Sequence, residues 1–370
     1  MDVSRLISAR SAAVEMSGIR KVFELARSLK DPINLSIGQP HFDVPQSIKD
    51  AAKAAIDGGK NGYTVTQGIA ELRDRLMADV RKQYPHPDRD LIVTSGTSGA
   101  LMLAILAVVD PGDEVVAADP YFVMYPIMVA LAGGKFVPVD TYPSFQIDPD
   151  KIIAACTART KMILLCSPAN PTGAVISPEA MKALAEFAEK RGILLVSDEI
   201  YKAFHYDAKP RSPAEFGEHV LVVEGFGKTY GMTGWRLGYA HGPKRLVDEM
   251  MKLQQSTFVC APSIVQWAGL AACDYDVTGI VADYKRKRDL LAAGLKGAFE
   301  FELPGGAFYL FPKAPHGTAT DFVTAGIQHN LLVIPGNVFS QRDTHFRISY
   351  AATDETIRRG VEVLTKLAKR

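Results

Sequence analysis

The chain has 370 residues, of which 47% are hydrophobic and 22% are charged, and its formal net charge at pH 7 is +1. At roughly 100–200 residues per domain, this length allows two domains with substantial hydrophobic cores. The balanced charge argues against wholesale electrostatic binding to nucleic acid or to an anionic membrane, and the apolar fraction argues against disorder.

Cysteine usage and the N-terminal sequence bear on the compartment. The four cysteines, at positions 156, 166, 260 and 273, are too scattered for a disulfide scaffold, so we expect free thiols in a reducing environment. The first 18 residues carry charges and no continuous apolar core, so no secretory signal is expected. Two long uncharged stretches, 91–109 and 253–273, contain polar residues and are predicted to be buried helices rather than membrane spans. These features predict a cytoplasmic protein.

The predicted elements, in chain order, are those of an α/β protein. Residues 1–44 are predicted to hold one helix followed by the segment INLSIGQPHFDVP at 33–45. From residue 91, short β-branched runs predict strands at 91–94, 114–118, 136–139, 162–165, 193–197 and 220–224. Helical patterns lie between them at 100–109, 122–131 and 178–190, the last opened by Ser177 as N-cap and Pro178. This alternation predicts a mostly parallel central sheet.

The two ends of the chain have a different pattern. After about residue 286, short strands at 308–311 and 346–350 are mixed with helices, including one at 354–369. We therefore predict a large domain at 45–285 and a smaller α+β domain formed by 1–44 and 286–370.

Two candidate loops follow predicted strands, where open α/β sheets bind their ligands. The small residues of TSGTSG at 94–99 would let backbone N–H groups converge on a phosphate at a helix N-terminus, although an ordinary strand-to-helix turn has the same composition. In SPANPTG at 167–173, two prolines and a glycine would fix the backbone and aim the Asn170 amide at a ligand, or simply form a turn.

Two further segments carry ionisable groups. Asp198 and Tyr201 belong to SDEIY, and a carboxylate at the end of a buried strand needs a partner, either a cationic ring nitrogen or a structural arginine. Lys228 stands between two glycines, with Arg236 eight residues later. In a desolvated site the pKa of the lysine would fall and its amine could form an imine, and the arginine could make a forked contact to phosphate. The alternative is an ordinary solvated lysine on the surface. Together these groups match the needs of a pyridoxal phosphate site.

The chain resembles the fold-type I pyridoxal-phosphate enzymes, in particular the class I and II aminotransferases of the aspartate aminotransferase superfamily. The resemblance is carried by SPANPTG, SDEIY and KTYGMTGWRLGY at 228–239, and it extends from LSIGQP at 35–40 to FRISY at 346–350. It implies that family's fold, pyridoxal 5′-phosphate as cofactor and a homodimer with shared active sites. It also implies ping-pong transfer of an amino group between an amino acid and a 2-oxo acid.

The resemblance also implies roles for individual residues. Lys228 would form the Schiff base and then move the proton between the substrate Cα and the cofactor C4′, and Asp198 would pair with the pyridinium nitrogen. The remaining cofactor contacts would be Asn170 and Tyr201 at the phenolic oxygen, Phe122 on the ring face, Gly96, Thr97, Ser98 and Arg236 at the phosphate, and Tyr63 at the phosphate of the neighbouring subunit. The substrate α-carboxylate would bind Arg347, with Gly38 and Asn170 beside it. The Asp119–Pro120 and Asn170–Pro171 peptides are expected to be cis.

One departure from the family concerns the cofactor phosphate. Relatives often carry a phosphate-binding serine three positions before the lysine, where this chain has Gly225, and the position just before the lysine is Gly227. We therefore expect weaker cofactor retention than in such relatives, and a Gly225→Ser change is expected to alter the dissociation constant.

The core motifs leave the substrate and one alternative reaction open. A lyase of the same fold, which eliminates a β or γ substituent, would need the same lysine, aspartate and arginine. A regulator that senses amino acids would need a further N-terminal DNA-binding module, for which about 30 residues are too few, and a purely structural protein would leave the ordered motifs unexplained.

Ser98 stands where some relatives that favour dicarboxylates have a lysine, so we expect a neutral or aromatic donor with 2-oxoglutarate or pyruvate as acceptor. Side-chain specificity is expected from Gly18–Ile19, Ser98 and residues 258–262 of the partner subunit, and no metal-ligand spacing is present.

Overall fold

The structure, a computed structural model, describes residues 3–12, 14 and 29–369. The strands are β1 Ile33–Asn34, β2 Arg89–Ser95, β3 Glu114–Asp119, β4 Lys135–Asp140, β5 Thr160–Cys166, β6 Leu194–Asp198, β7 Val220–Gly225, β8 Leu237–Pro243, β9 Tyr309–Leu310, β10 Leu331–Leu332, β11 Ile334–Pro335 and β12 Phe346–Ser349.

The α-helices alternate with the strands through the middle of the chain. They are α1 Ala9–Ala12, α2 Gln46–Asp57, α3 Ala70–Gln83, α4 Gly96–Val108, α5 Met124–Leu131, α6 Pro149–Ala155, α7 Pro178–Arg191, α8 Phe226–Thr229, α9 Lys244–Thr257, α10 Ser263–Ala272, α11 Thr278–Leu295, α12 Ala319–Gln328 and α13 Asp354–Ala368. Single 3-10 turns lie at Val3–Leu6, Pro213–Glu215, Thr233–Trp235 and Gly336–Val338. None of the helices in the described ranges is both long and apolar enough to cross a bilayer.

The central sheet has seven strands in the order β2-β8-β7-β6-β5-β3-β4. Strand β8 is antiparallel to both of its neighbours, and the pairs β7-β6, β6-β5, β5-β3 and β3-β4 are parallel. The predicted α/β class with a mostly parallel sheet is therefore confirmed. Strand β8 was not predicted, because its segment LGYAHGP contains two glycines, a histidine and a proline and no β-branched residue.

Helices cover both faces of this sheet. Along β5, Ile163 and Leu165 point into one hydrophobic cluster, which α2, α3, α7 and α10 complete, whereas Met162 and Leu164 point into another, which α4, α5 and α9 complete. This alternation is the period of two that a strand imposes on its side chains. With both faces buried, the strands must be apolar on both sides, which explains the continuous apolar runs in the sequence.

Local sequence signals set several element boundaries. Helix α7 begins as predicted, because the Ser177 side chain accepts a hydrogen bond from the Ala180 N–H and Pro178 fills the first turn. It ends at Arg191 and is followed by Gly192, whose φ of 64° is the left-handed conformation that closes a helix. Helix α4 begins at Gly96, four residues before the predicted start, so the last four residues of TSGTSG form the first helical turn and the first two end β2.

The two chain ends pack against each other. Strand β1 pairs in parallel with β10, and the three-stranded sheet β11-β12-β9 lies in the C-terminal part. A further hydrophobic cluster joins Ile33 and Leu35 to Leu331, Ile348 and Leu364. The division into domains at 45–285 and at 1–44 with 286–370 stays a prediction. The Asp119–Pro120 and Asn170–Pro171 peptides are cis, as predicted, and so are Tyr142–Pro143 and Ser167–Pro168.

Candidate active site

A cavity of about 320 Å³ opens at the carboxyl ends of β5, β6 and β7, beside the first turn of α4. This is the edge at which open α/β sheets bind ligands. The predicted site residues that line it are Gly38, Gly96, Thr97, Ser98, Phe122, Asn170, Asp198, Tyr201, Lys228, Arg236 and Arg347. Tyr63 lies outside the cavity and is 88% exposed.

Asp198 is the last residue of β6 and lies buried in this cavity. Its Oδ2 accepts a hydrogen bond from the Tyr125 hydroxyl at 2.8 Å, and its Oδ1 accepts one from the Ile200 N–H at 3.2 Å. Because both donors are neutral, burial dominates and raises the pKa of Asp198 to about 6. A cation placed beside this carboxylate would lower that pKa again.

Lys228 reaches the cavity from α8, the single helical turn that follows β7. Its Nζ donates a hydrogen bond to the backbone carbonyl of Gly38. Burial, together with the positive charges of Arg347 and Arg236, lowers the pKa of the Lys228 amine to about 8. A substantial fraction of this amine is therefore neutral, and nucleophilic, at slightly alkaline pH.

One end of the cavity is built for an anion. Gly96, Thr97 and Ser98 form the first turn of the 13-residue helix α4, whose unpaired N–H groups and dipole favour negative charge. The Arg236 guanidinium lies against this turn, since a Cβ on Gly96 would stand 2.5 Å from its Nη2. Gly96 has a φ of 68°, so glycine both suits the backbone conformation and leaves room for the arginine.

A second arginine lines the same cavity. Arg347, from β12, is fully buried, with its Nη1 donating to Asn170 Oδ1 at 3.0 Å and its Nη2 donating to the Ser36 carbonyl at 2.8 Å. Its Nε has no hydrogen-bond partner among the described residues. A buried guanidinium with an unused N–H can donate to the carboxylate of a ligand.

Aromatic side chains complete the walls. Phe122 lies two residues before α5 and contacts the Tyr125 ring edge-on, with 5.5 Å between ring centroids. The hydroxyls of Tyr201 and Tyr309 are 2.7 Å apart. The sequence reasoning missed Tyr125 and Tyr309. The spacing of three between Phe122 and Tyr125 on a predicted helix was the available signal for the first, and Tyr309 had none beyond its place in a short strand.

Among the residues that the structure describes, no group of three or more histidine, cysteine, aspartate or glutamate side chains is arranged to hold a metal ion. The residues predicted near Gly18–Ile19 to set specificity lie outside the described residues.

Comparison with known proteins identifies the family. Residues 30–364 match the model of aminotransferase class I and II. The chain is 39% identical to a probable aspartate aminotransferase of Methanocaldococcus jannaschii, over 98% of this chain and 100% of that protein. It is 37% identical to the aspartate/prephenate aminotransferase of Thermus thermophilus, over 100% of this chain and 99% of that protein.

Solved structures agree with the sequence relatives. The aspartate aminotransferase from Thermus thermophilus with maleate superimposes with a TM-score of 0.93 at 36% identity, covering 98% of this chain and 99% of that one. Class I and II aminotransferases use pyridoxal phosphate to act on amino acids and oxo acids, and the names of these relatives do not favour a lyase. The chain therefore belongs to the class I and II aminotransferases and is a transaminase.

Proposed function

We propose that this chain binds pyridoxal 5′-phosphate in the cavity at the strand ends and carries out both half-reactions of transamination there, by a ping-pong mechanism. The observation that carries the proposal is the convergence on one cavity of a buried lysine amine, a buried carboxylate with only neutral donors, and a buried arginine with an unused Nε. When bound, the cofactor supplies an electron sink for the bond that is broken at the substrate Cα.

The cavity fits the cofactor ring. Asp198 needs a positive partner because burial disfavours its charged form, and a protonated pyridine nitrogen is such a partner. Phe122 would cover one face of the ring, and Asn170 and Tyr201 would donate to its phenolic oxygen. The anion-binding turn at Gly96, Thr97 and Ser98, with Arg236, would hold the phosphate.

Lys228 is the proposed acid–base group. Because its pKa is lowered to about 8, enough of the amine is neutral to take the proton from the substrate Cα. The same amine would then return this proton to the cofactor C4′. Arg347 would hold the substrate α-carboxylate, while Arg236 holds the cofactor phosphate. With the cofactor phosphate and the substrate α-carboxylate both held in place, the orientation of the substrate would determine which bond at Cα stands perpendicular to the cofactor ring.

We further propose a donor with a neutral or aromatic side chain. The described lining contains three cationic side chains, Lys228, Arg236 and Arg347, and each has a proposed role in this mechanism. A side-chain carboxylate would find Ser98 rather than a further cation in this part of the lining. The relatives compared above are named for aspartate or prephenate, so the donor must be measured. An initial-rate panel in which aspartate is clearly the fastest donor would refute this choice.

A homodimer with shared active sites is part of the proposal. Tyr63, Val65, Phe258 and Val259 are large apolar or aromatic residues that are exposed in the single chain. They lie close together, because Gln266 donates to the Thr64 hydroxyl and to the Ala261 carbonyl. We propose that this surface meets a second copy, that Tyr63 reaches the partner's phosphate, and that the chain divides into the two domains predicted from the sequence. Four free cysteines support a cytoplasmic location.

Two experiments test this function. Incubation with an amino acid but no oxo acid should release one equivalent of 2-oxo acid per site and then stop, since the amino group stays on the enzyme. Continued release of ammonia and pyruvate would contradict transamination. For the shared site, Lys228→Ala and Tyr63→Ala homodimers, each of which is expected to lose most of its activity, are mixed and allowed to exchange subunits. The hybrid contains one fully normal site, so activity should return, whereas no recovery would contradict shared sites.

A further inference from the structure

Tyr309 is a buried residue of β9 to which neither the motifs nor the mechanism above assigns a role. Its side chain is fully buried and lines the cavity. Strand β9 pairs with β12 so that Tyr309 lies opposite Ser349. Residues two apart on a strand share a face, which places Tyr309 diagonally beside Arg347. The strand pairing therefore fixes the tyrosine against the arginine that is proposed to bind substrate.

The Tyr309 ring supports the Arg347 guanidinium. The guanidinium carbon lies 4.6 Å from the centre of the Tyr309 ring and 4.6 Å from the centre of the Phe339 ring. Cation–π contacts of this kind are strong where water is excluded. The two rings, with the hydrogen bonds to Asn170 and Ser36, set the orientation of the guanidinium.

The Tyr309 hydroxyl touches a different part of the site. It lies 2.7 Å from the Tyr201 hydroxyl, and either oxygen could be the donor. If Tyr201 donates its single proton to the phenolic oxygen of the cofactor, Tyr309 must donate to Tyr201. In a buried chain of hydrogen bonds, a hydroxyl that accepts a hydrogen bond becomes a stronger hydrogen-bond donor itself.

The same hydroxyl limits the approach of the segment at Gly38. A Cβ on Gly38 would stand 2.7 Å from the Tyr309 hydroxyl oxygen, whereas the next nearest atoms, both in the same ring, are at 3.7 and 3.9 Å. The Gly38 carbonyl in turn accepts the hydrogen bond from Lys228. The hydroxyl oxygen is therefore the one neighbour that a Cβ at position 38 would meet closer than ordinary van der Waals contact.

We propose that Tyr309 is a positioning residue that links the substrate contacts of the site to its cofactor contacts, its ring orienting Arg347 for the substrate carboxylate and its hydroxyl orienting Tyr201 and Gly38 at the cofactor. This inference rests on the proposed function. The ring and the hydroxyl have separate roles, and each role can be removed by its own substitution.

The first experiment separates ring from hydroxyl. Tyr309→Phe keeps the ring, so the dissociation constant of 2-aminoisobutyrate, an amino acid without an α-proton, should change less than about twofold. The acid–base midpoint of the bound cofactor's visible absorption should rise by about half to one pH unit, because Tyr201 becomes a weaker donor to the phenolic oxygen. The matched variant Phe339→Leu should weaken 2-aminoisobutyrate binding and leave the midpoint unchanged.

The second experiment is a double-mutant cycle on apoprotein titrated with pyridoxal phosphate. Gly38→Ala should weaken cofactor binding at least tenfold in the wild type, where the new Cβ meets the hydroxyl. In the Tyr309→Phe background, Gly38→Ala should weaken cofactor binding less than about threefold, because the nearest remaining ring atoms lie at ordinary contact distances from the new Cβ. Equal losses in the two backgrounds, or an unshifted midpoint in Tyr309→Phe, would overturn the inference. A wild type that never develops a cofactor band would refute the proposed function instead.

Discussion

Binding of the cofactor phosphate is the sharpest test of the site, and it can be changed at Gly225 and Gly227, which precede Lys228. The sequence favours Gly225→Ser as the change that would restore a phosphate-binding hydroxyl. In the structure, however, a Cβ at Gly225 would stand 3.0 Å from Thr97 Cγ2 and 3.1 Å from Ile200 Cδ1. Gly227 instead lines the cavity, and a Cβ there would stand no closer than 3.4 Å to any neighbour, at Thr233 Cα. Gly227→Ser is therefore the substitution that fits.

The size of the effect follows from one added hydrogen bond to a charged phosphate. Such bonds contribute about 1.5–3 kcal/mol, so Gly227→Ser should lower the dissociation constant of pyridoxal phosphate roughly 10- to 100-fold. Gly225→Ser should raise that constant, because its Cβ would crowd the Thr97 side chain of the anion-binding turn.

The assay is a titration of apoprotein, followed by visible absorption, with two ligands and one control variant. Gly227→Ala adds the Cβ without the hydroxyl and should bind pyridoxal phosphate nearly as the wild type does. Pyridoxal, which lacks the phosphate, should show no gain with Gly227→Ser. Equal affinities of the serine and alanine variants for pyridoxal phosphate, or an equal gain for pyridoxal, would refute the reasoning.

Three further predictions concern the buried charges. Tyr125→Phe removes a hydrogen bond to Asp198, so cofactor binding should weaken roughly tenfold or more, and unchanged affinity would contradict that contact. Because burial raises the pKa of Asp198 from 3.8 to about 6, its ionisation destabilises the cofactor-free fold as pH rises through that range. Apo Asp198→Asn should therefore be more stable to urea than apo wild type by about 3 kcal/mol at pH 8 and by about half of that at pH 5, and a pH-independent difference would contradict this. Arg347→Lys should raise KM for amino donors roughly 100-fold at unchanged cofactor affinity, and equal losses in both would point to a structural role.

Much of the fold and site could be predicted because their signals are local. Apolar runs bounded by small and polar residues predicted β5, β6 and β7, and Ser177 with Pro178 predicted the start of α7. Asp198 and Lys228 were accessible for the same reason, since each stands next to a predicted strand end.

Features that depend on tertiary contact were not predictable in this way. Strand β8 has little β propensity and forms because β2 and β7 flank it. Tyr309 has no distinguishing neighbour in the sequence, and its partners Gly38 and Arg347 come from opposite ends of the chain. The conflict between Gly225 and Thr97 likewise arises from residues more than a hundred positions apart.

The central claim is tested most directly by the visible spectrum of the purified protein with pyridoxal phosphate during titration with amino acids, with Lys228→Ala as control. We predict a band from the lysine-bound cofactor that disappears on addition of a donor and returns on addition of an oxo acid, and a control without that band. A wild type whose spectrum matches that of Lys228→Ala, or whose band never recovers with any oxo acid, would contradict the account.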